Sequence, residues 1–287
     1  MIIIKVMGGL GNQMFQYAFG EALKRIEHFD VKYDISYFSD IPEGDTPRMS
    51  YDQLLNQSQD IATEEEIQLL LKKDKALRNR IKKILHCYKS NVLTEADEIV
   101  DESYLNGYWQ QESYFKGIES VIRKKYDFSQ YVLSEKAVNV LSMIQNAKYS
   151  ASIHVRGGDY LSDTNSSIFG GVCSEAYYKK ACDYVLKQNP NVTFFMFSND
   201  TAWAKEILHI PEENVVVVSD LLGQEEEWVE LYLMSCCRSN IIANSSYSWW
   251  AAWLNTNEDK TVLSPSRWKN SDGESKIICK DWIRIDA

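Results

Sequence analysis

The stretch MIIIKVMGGLGNQMFQYAFGEAL, residues 1–23, decides the fold class. Residues 2–6 (IIIKV) are a short, largely apolar run of strand length, and Gly8 and Gly9 follow at once. Met14, Tyr17, Ala18, Ala22, Leu23 and Ile26 then recur at helical spacing, which predicts a strand, a glycine turn and a helix. The apolar run is too short for a signal-peptide core or a membrane span, so the expectation is a cytosolic protein.

The same rhythm continues outward. Val31–Ile35 reads as a second strand, and the polar, proline-bearing stretch Ser39–Asp60 as loop. Thr63 with Glu66 makes a capping box for a helix running to about Tyr88. A strand around Tyr104–Trp109 and a helix over Glu112–Lys125 follow. In the second half Ser150–Val155, Val192–Phe197, Asn214–Val218, Asn240–Ala243 and Thr261–Leu263 are strand-like. Helical patterns at Ser174–Lys187, Thr201–Leu208, Glu225–Cys236 and Ser246–Leu254 separate them. This alternation predicts two parallel-sheet α/β units, with ligands beyond the carboxyl ends of the strands in a cleft that the units face. The helical stretch Ser134–Asn146 lies between them, dividing 1–140 from 141–287. The last segment is expected to pack back on the N-terminal domain.

Composition narrows the function. With 45 % hydrophobic and 25 % charged residues, the 287-residue chain is globular, not disordered. Its 31 basic and 41 acidic residues leave a net charge of −10, which argues against a nucleic-acid binder working by bulk charge. The six cysteines, Cys87, Cys173, Cys182, Cys236, Cys237 and Cys279, form no CxxC pair and read as reduced, buried thiols. Lys72–Lys89 holds eight basic residues against one acid, with Leu77, Ile81, Ile84 and Leu85 on one face. It is either a solvated face over a core stripe or a peripheral membrane helix.

Three clusters could carry chemistry. In Gly8-Gly9-Leu10-Gly11-Asn12-Gln13, glycines permit close backbone approach, and two amides stand at the start of a helix. The GxGxxG pattern fails, since the last position is Met14, and no Walker lysine follows. In Ser152–Tyr160, His154 and Arg156 share one face at a strand's carboxyl end, and Arg156 offers a planar donor fork to phosphate. Asp159 could orient that guanidinium or accept a proton. In Asn240–Trp250, an apolar strand runs through Asn244 into Ser245 and Ser246 at a helix start, a second anion cradle. Glu230 on the preceding helix and Phe197-Ser198-Asn199-Asp200 complete the set. Each alone is a routine cap or turn. Metal ligation is not expected, since there is no HExxH or Asp-x-Asp and only four scattered histidines, and no GxSxG supports a nucleophilic serine. Phosphate binding by arginine, amides and helix ends remains.

At these residues the chain resembles the α-1,2-fucosyltransferases of glycosyltransferase family 11. The resemblance rests on GGLGNQMFQYAFG at 8–20, HVRGGDY at 154–160, FSND with Trp203, and NSSYSWWAAWLN at 244–255, in order along nearly the whole chain. It implies a GT-B-like fold with an N-terminal acceptor-side domain and a C-terminal GDP-fucose domain. The implied activity is inverting, metal-independent transfer of L-fucose from GDP-fucose to the 2-hydroxyl of a galactoside, in glycan or surface-polysaccharide synthesis at the cytosolic face. By the same resemblance Arg156 holds the β-phosphate and His154 contacts the nucleotide. Ser245, Ser246 and Tyr247 cradle the diphosphate, Ser198, Asp200 and Asn244 line the donor site, and Glu230 accepts from the guanine edge. Gly9, Gly11, Asn12 and Gln13 approach from the acceptor side. Three positions depart from the family pattern: Gly157 replaces a second arginine, Ser239 a histidine, and Asn199 the first aspartate of a pair.

Two other classes share parts of this pattern. A nicotinamide-dependent oxidoreductase would need the complete glycine fingerprint and a ribose-binding acid after strand two, for which only Asp34 stands. A weakly catalytic sugar-binding homologue fits Gly157 but has no use for Arg156 with paired serines.

Overall fold

The computed structural model describes residues 1–39, 60–81, 92–94, 99–156, 167–223, 227–271 and 275–286. The chain divides into two compact units, Met1–Ile122 and Arg123–Ala287.

Unit 1 is built on β1 (Ile2–Lys5), α1 (Leu10–Arg25), β2 (Val31–Asp34), α2 (Glu64–Ile81), β3 (Val92–Leu93) and β4 (Tyr104–Leu105). The strands lie in the order β2-β1-β4-β3, every pairing parallel. Ile2, Ile3 and Ile4 are all fully buried, as a central parallel strand covered on both faces requires. The expected capping box is present at α2. The Thr63 N–H donates to Glu66 Oε2 at 2.9 Å, and the Glu66 N–H donates to Thr63 Oγ1 at 3.3 Å. Lys82–Lys89 lies outside the described residues, and the basic stretch is described only as the end of α2.

Two local expectations change in this unit. The strand expected over Tyr104–Trp109 stops at Leu105, because Gly107 opens a turn in which Trp109 takes a φ of 53°. The single helix expected over Glu112–Lys125 is a 3-10 turn, Glu112–Phe115, followed by α3 (Glu119–Lys125). Gly117, at φ 94°, breaks the run between them.

Unit 2 continues with α4 (Glu135–Asn146), β5 (Tyr149–Val155), α5 (Glu175–Gln188), β6 (Val192–Ser198), α6 (Thr201–Leu208), β7 (Val215–Val217) and α7 (Val218–Leu222). It closes with α8 (Glu227–Ser235), β8 (Ser239–Ile241), α9 (Ser246–Leu254), β9 (Thr261–Pro265) and β10 (Ile283–Ile285). The sheet order β10-β9-β8-β5-β6-β7, parallel throughout, is that of a Rossmann-like doubly wound domain. Its core joins Ala151, Ile153, Val155, Phe194 and Met196 of the sheet to Tyr177, Tyr178, Ala181 and Val185 of α5.

The division falls earlier than the expected 140, because α4 buries Ala137, Val140 and Ile144 and packs against α7 and α8 of unit 2. The tail supplies the sixth strand of this sheet, with Ile283 paired to Leu263. Among the described residues no helix is long and apolar enough to cross a membrane.

Candidate functional site

In a doubly wound sheet the chain leaves its first strand to one side and later returns to the other. The crevice between the two strands that flank this reversal is the place where ligands bind. In unit 2 those strands are β5 and β8. Side-chain alternation puts Ser152 and His154 of β5 on one face, with Arg156 just past the strand's end. Beside it β8 leads through Ile242, Ala243 and Asn244 to Ser245, the N-cap of α9.

The two sides meet at the Arg156 guanidinium, whose Nη1 donates to Ser245 Oγ at 3.4 Å. Ser245 is extended (φ −131°, ψ 127°), and its hydroxyl makes no cap bond to its own helix. The first backbone bond of α9 runs from the Trp249 N–H to the Ser245 carbonyl at 3.0 Å, so the amides of the first turn point out of the helix end, the arrangement that favours an anion. The helix axis is held by packed tryptophans. Trp249 Nε1 donates to the Ile277 carbonyl at 2.7 Å, the Trp249 and Trp250 rings meet at 5.0 Å, and the Arg123 guanidinium lies 4.0 Å over the Trp253 ring.

His154 is 7 % exposed, and its Nδ1 has no hydrogen-bond partner among the described residues. Burial, reinforced by the charge of Arg156, holds its pKa down at about 3, so the imidazole is neutral at physiological pH. Its ring lies 5.7 Å from that of Tyr247, whose hydroxyl donates to the Glu227 carbonyl. One turn further along α8, Glu230 accepts from Ser219 Oγ at 2.8 Å, and burial raises its carboxyl pKa. Ser219 Oγ in turn accepts from the Ser198 N–H at 3.1 Å. Ser245 thus meets Arg156, His154 neighbours Tyr247, and Glu230 reaches Ser198 through Ser219.

Other candidate residues have internal roles. The Asp200 carboxylate caps α6, accepting from the Trp203 N–H at 3.0 Å, and Ser198 Oγ closes the same turn by donating to the Asp200 carbonyl at 2.9 Å. Asn244 is turned inward. Its Nδ2 donates to the carbonyls of Phe169 and Trp268 at 3.3 and 3.1 Å, its Oδ1 accepts from Cys173 Sγ at 3.4 Å, and its N–H donates to the same sulfur at 3.3 Å. Ser246 is the first helical residue of α9. Asp159, with Gly157 and Tyr160, lies outside the described residues. Ser219 and Cys173 were missed from the sequence. The only signal for Ser219 is a hydroxyl directly after the valine run 215–218, and Cys173 has none beyond standing before the Ser174 cap.

In unit 1 the glycine turn is a fixed structure. Gly8 has φ 78°, and a Cβ there would lie 2.5 Å from Asn12 Nδ2. Gly9 is the exposed N-cap of α1, and Gly11 is buried inside the helix. Gln13, fully buried, donates to the Gly8 carbonyl at 2.8 Å and so holds the turn from beneath. Gln16 accepts from the Met7 N–H at 3.0 Å and donates to the Gly107 carbonyl at 3.1 Å, which ties the exit of β1 to that of β4. Asn12 is half-buried, and its Oδ1 accepts from Gln110 Nε2 at 2.7 Å. Among the described residues no group of three or more His, Cys, Asp or Glu side chains could hold a metal ion.

Comparison with known proteins identifies the family. The sequence model of Glycosyl transferase family 11 matches residues 1–286. The chain is 33 % identical over 307 residues to the O-antigen biosynthesis glycosyltransferase WbnK of Escherichia coli, covering 97 % of this chain and 98 % of that one. It is 28 % identical to an alpha-1,2-colitosyltransferase of Escherichia coli over 100 % of this chain and 99 % of that one. The Homo sapiens galactoside alpha-(1,2)-fucosyltransferase 1 is 27 % identical over 157 residues, 52 % of this chain and 42 % of its own.

Proposed function

The chain belongs to glycosyl transferase family 11, and from that premise we propose that it transfers L-fucose from GDP-fucose to the 2-hydroxyl of a terminal galactoside, forming an α-1,2 linkage with inversion and without a metal ion. The observation that carries this reading is the convergence of Arg156 and Ser245 on the outward end of α9 at the β5/β8 switch point.

In this reading the bond between the anomeric carbon and the β-phosphate oxygen breaks as the acceptor oxygen attacks from the opposite face. Negative charge grows on the diphosphate, and Arg156 with the first-turn amides of α9 meets it there, already oriented. His154, neutral, neighbours the nucleotide without adding charge. The Glu230 carboxylate accepts from the guanine edge, oriented by Ser219. Asn244 contributes by shaping the loop before Ser245. Unit 1 takes the acceptor at its glycine turn. Asp159 serves as base for the acceptor hydroxyl or as the arginine's partner, and comparing the pH–rate profile of Asp159→Asn with wild type separates the two.

The test is turnover of GDP-fucose with lactose as acceptor in the presence of EDTA, following GDP release and product linkage. Transfer to the galactose 2-hydroxyl supports donor, linkage and metal independence together. Loss of turnover with EDTA that a divalent ion restores overturns the metal-independent part. Nucleotide-activated colitose is a second donor reading, favoured by the full-length likeness to the colitosyltransferase. A donor competition under the same conditions distinguishes the two.

A further inference from the structure

The switch-point rule that singles out β5 and β8 in unit 2 applies equally to unit 1. There the chain runs from β1 to β2 on one side and returns as β3 and β4 on the other, so β1 and β4 flank the reversal. The crevice at their carboxyl ends is walled by the glycine turn after β1 and the turn Gly107–Gln111 after β4, and the Gln110–Asn12 hydrogen bond of 2.7 Å spans it.

The turn after β4 is held in an unfavourable form. Trp109 has φ 53°, uncommon for a bulky residue, and its indole is 4 % exposed. Nε1 is buried without a hydrogen-bond partner among the described residues. The ring stacks on Phe19 at 4.8 Å and 27°. Gly107 leaves room for it, since a Cβ there would approach Trp109 Cε2 and Cζ2 to 3.1 Å. Two destabilising features at one residue mark a conformation kept for something other than stability. Its effect is visible on both sides. Tyr108 is turned out, 46 % exposed, and Gln110 is turned onto Asn12 with its Oε1 still able to accept.

We propose that Gln110 and Tyr108 determine acceptor specificity, binding a neutral hexose of the galactoside class, with Gln110 Oε1 accepting from a ring hydroxyl and the Tyr108 ring covering an apolar sugar face. Amide and phenol groups suit hydroxyls and C–H faces, where a phosphate would call for arginine. The assignment rests on the function proposed above and adds, to the glycine turn named there, the residues across the crevice from it.

The experiment uses the full chain with lactose and GDP as probes, lactose binding being read by saturation-transfer NMR and GDP binding by calorimetry. Gln110→Ala and Tyr108→Ala each weaken lactose about tenfold, the loss of one or two neutral contacts, while GDP affinity stays within twofold. Tyr108→Phe keeps lactose affinity within about threefold. Unchanged lactose affinity in both alanine variants overturns the assignment, as does a wild-type protein that binds GDP but no lactose. A parallel fall in GDP and lactose affinity also overturns it, since that is the mark of a merely structural turn. Failure of the wild-type chain to bind GDP, with lactose bound and lost in Gln110→Ala, removes the donor reading and leaves the sugar site standing.

Discussion

Arg156 and Ser245, eighty-nine positions apart in sequence, meet through one hydrogen bond of 3.4 Å between a guanidinium and a serine hydroxyl that does not cap its own helix. The cation is thereby aimed at the same point as the first-turn amides of α9. Arg156→Ala is expected to lower turnover of GDP-fucose by about 10²–10³, the usual effect of removing one preorganised donor from a developing anion. Arg156→Lys restores only part of the loss, because a point charge does not reproduce the planar fork. Steady-state kcat with saturating donor measures both.

His154 makes the pH dependence specific. An unfolded histidine takes a proton below about 6.5, whereas the buried one stays neutral down to about 3. Protonation therefore favours the unfolded chain, so this group's contribution to stability is complete above about 6.5 and is lost as pH falls towards 3. Urea midpoints measured from pH 7 to pH 4 are expected to fall more steeply for wild type than for His154→Gln. Between pH 6 and pH 8 His154 adds no limb to the rate profile.

How much of this was legible in the sequence depends on how local each cause is. β1, α1 and the Thr63–Glu66 capping box were readable because periodicity and caps act within a few residues. Gly117 was visible as a letter, but its positive φ and the helix break it produces were not. β10 was missed because three residues gain strand character only by pairing with β9. The placement of His154, Arg156 and Ser245 at strand ends was readable because β5 and β8 show as apolar runs, and a parallel sheet binds ligands at such ends by rule. The inward orientation of Asn244 was not readable, since its partners Phe169, Cys173 and Trp268 are distant in sequence. The burial of Gln13 was not readable either, although its partner Gly8 is close in sequence. An amide at a helix start suggests a ligand, and here it supports the Gly8 carbonyl.

Cys173 joins Asn244 through both the backbone N–H and the side-chain oxygen. Burial pushes its thiol pKa up to about 12, so it is protonated and slow to alkylate. In the folded chain at pH 8 iodoacetamide should label Cys173 far more slowly than in urea, by peptide mass mapping. Cys173→Ala leaves two polar groups of Asn244 without this partner and should destabilise the protein by about 1–3 kcal/mol, read by urea denaturation. Donor KM should rise with it, because the loop leading to Ser245 loses its anchor.

Gly8→Ala tests the glycine turn. A left-handed φ of 78° costs a residue with a Cβ about 1–2 kcal/mol. The new methyl would also meet Asn12 Nδ2 at 2.5 Å and displace the amide from Gln110. The expected result is a lower melting temperature together with a raised KM for lactose and a near-normal Kd for GDP. Calorimetry gives the first and last, and initial rates the second.

Of the eight tryptophans, Trp109 alone precedes residue 123. The intrinsic emission of the chain is therefore dominated by unit 2, with a single lamp in unit 1, set in the turn beside Gln110. Trp109→Phe darkens unit 1. Any spectral response to GDP that survives the exchange arises in unit 2, and any response to a galactoside that vanishes with it came from the turn after β4. One cuvette then reports two binding events by colour, with no label attached.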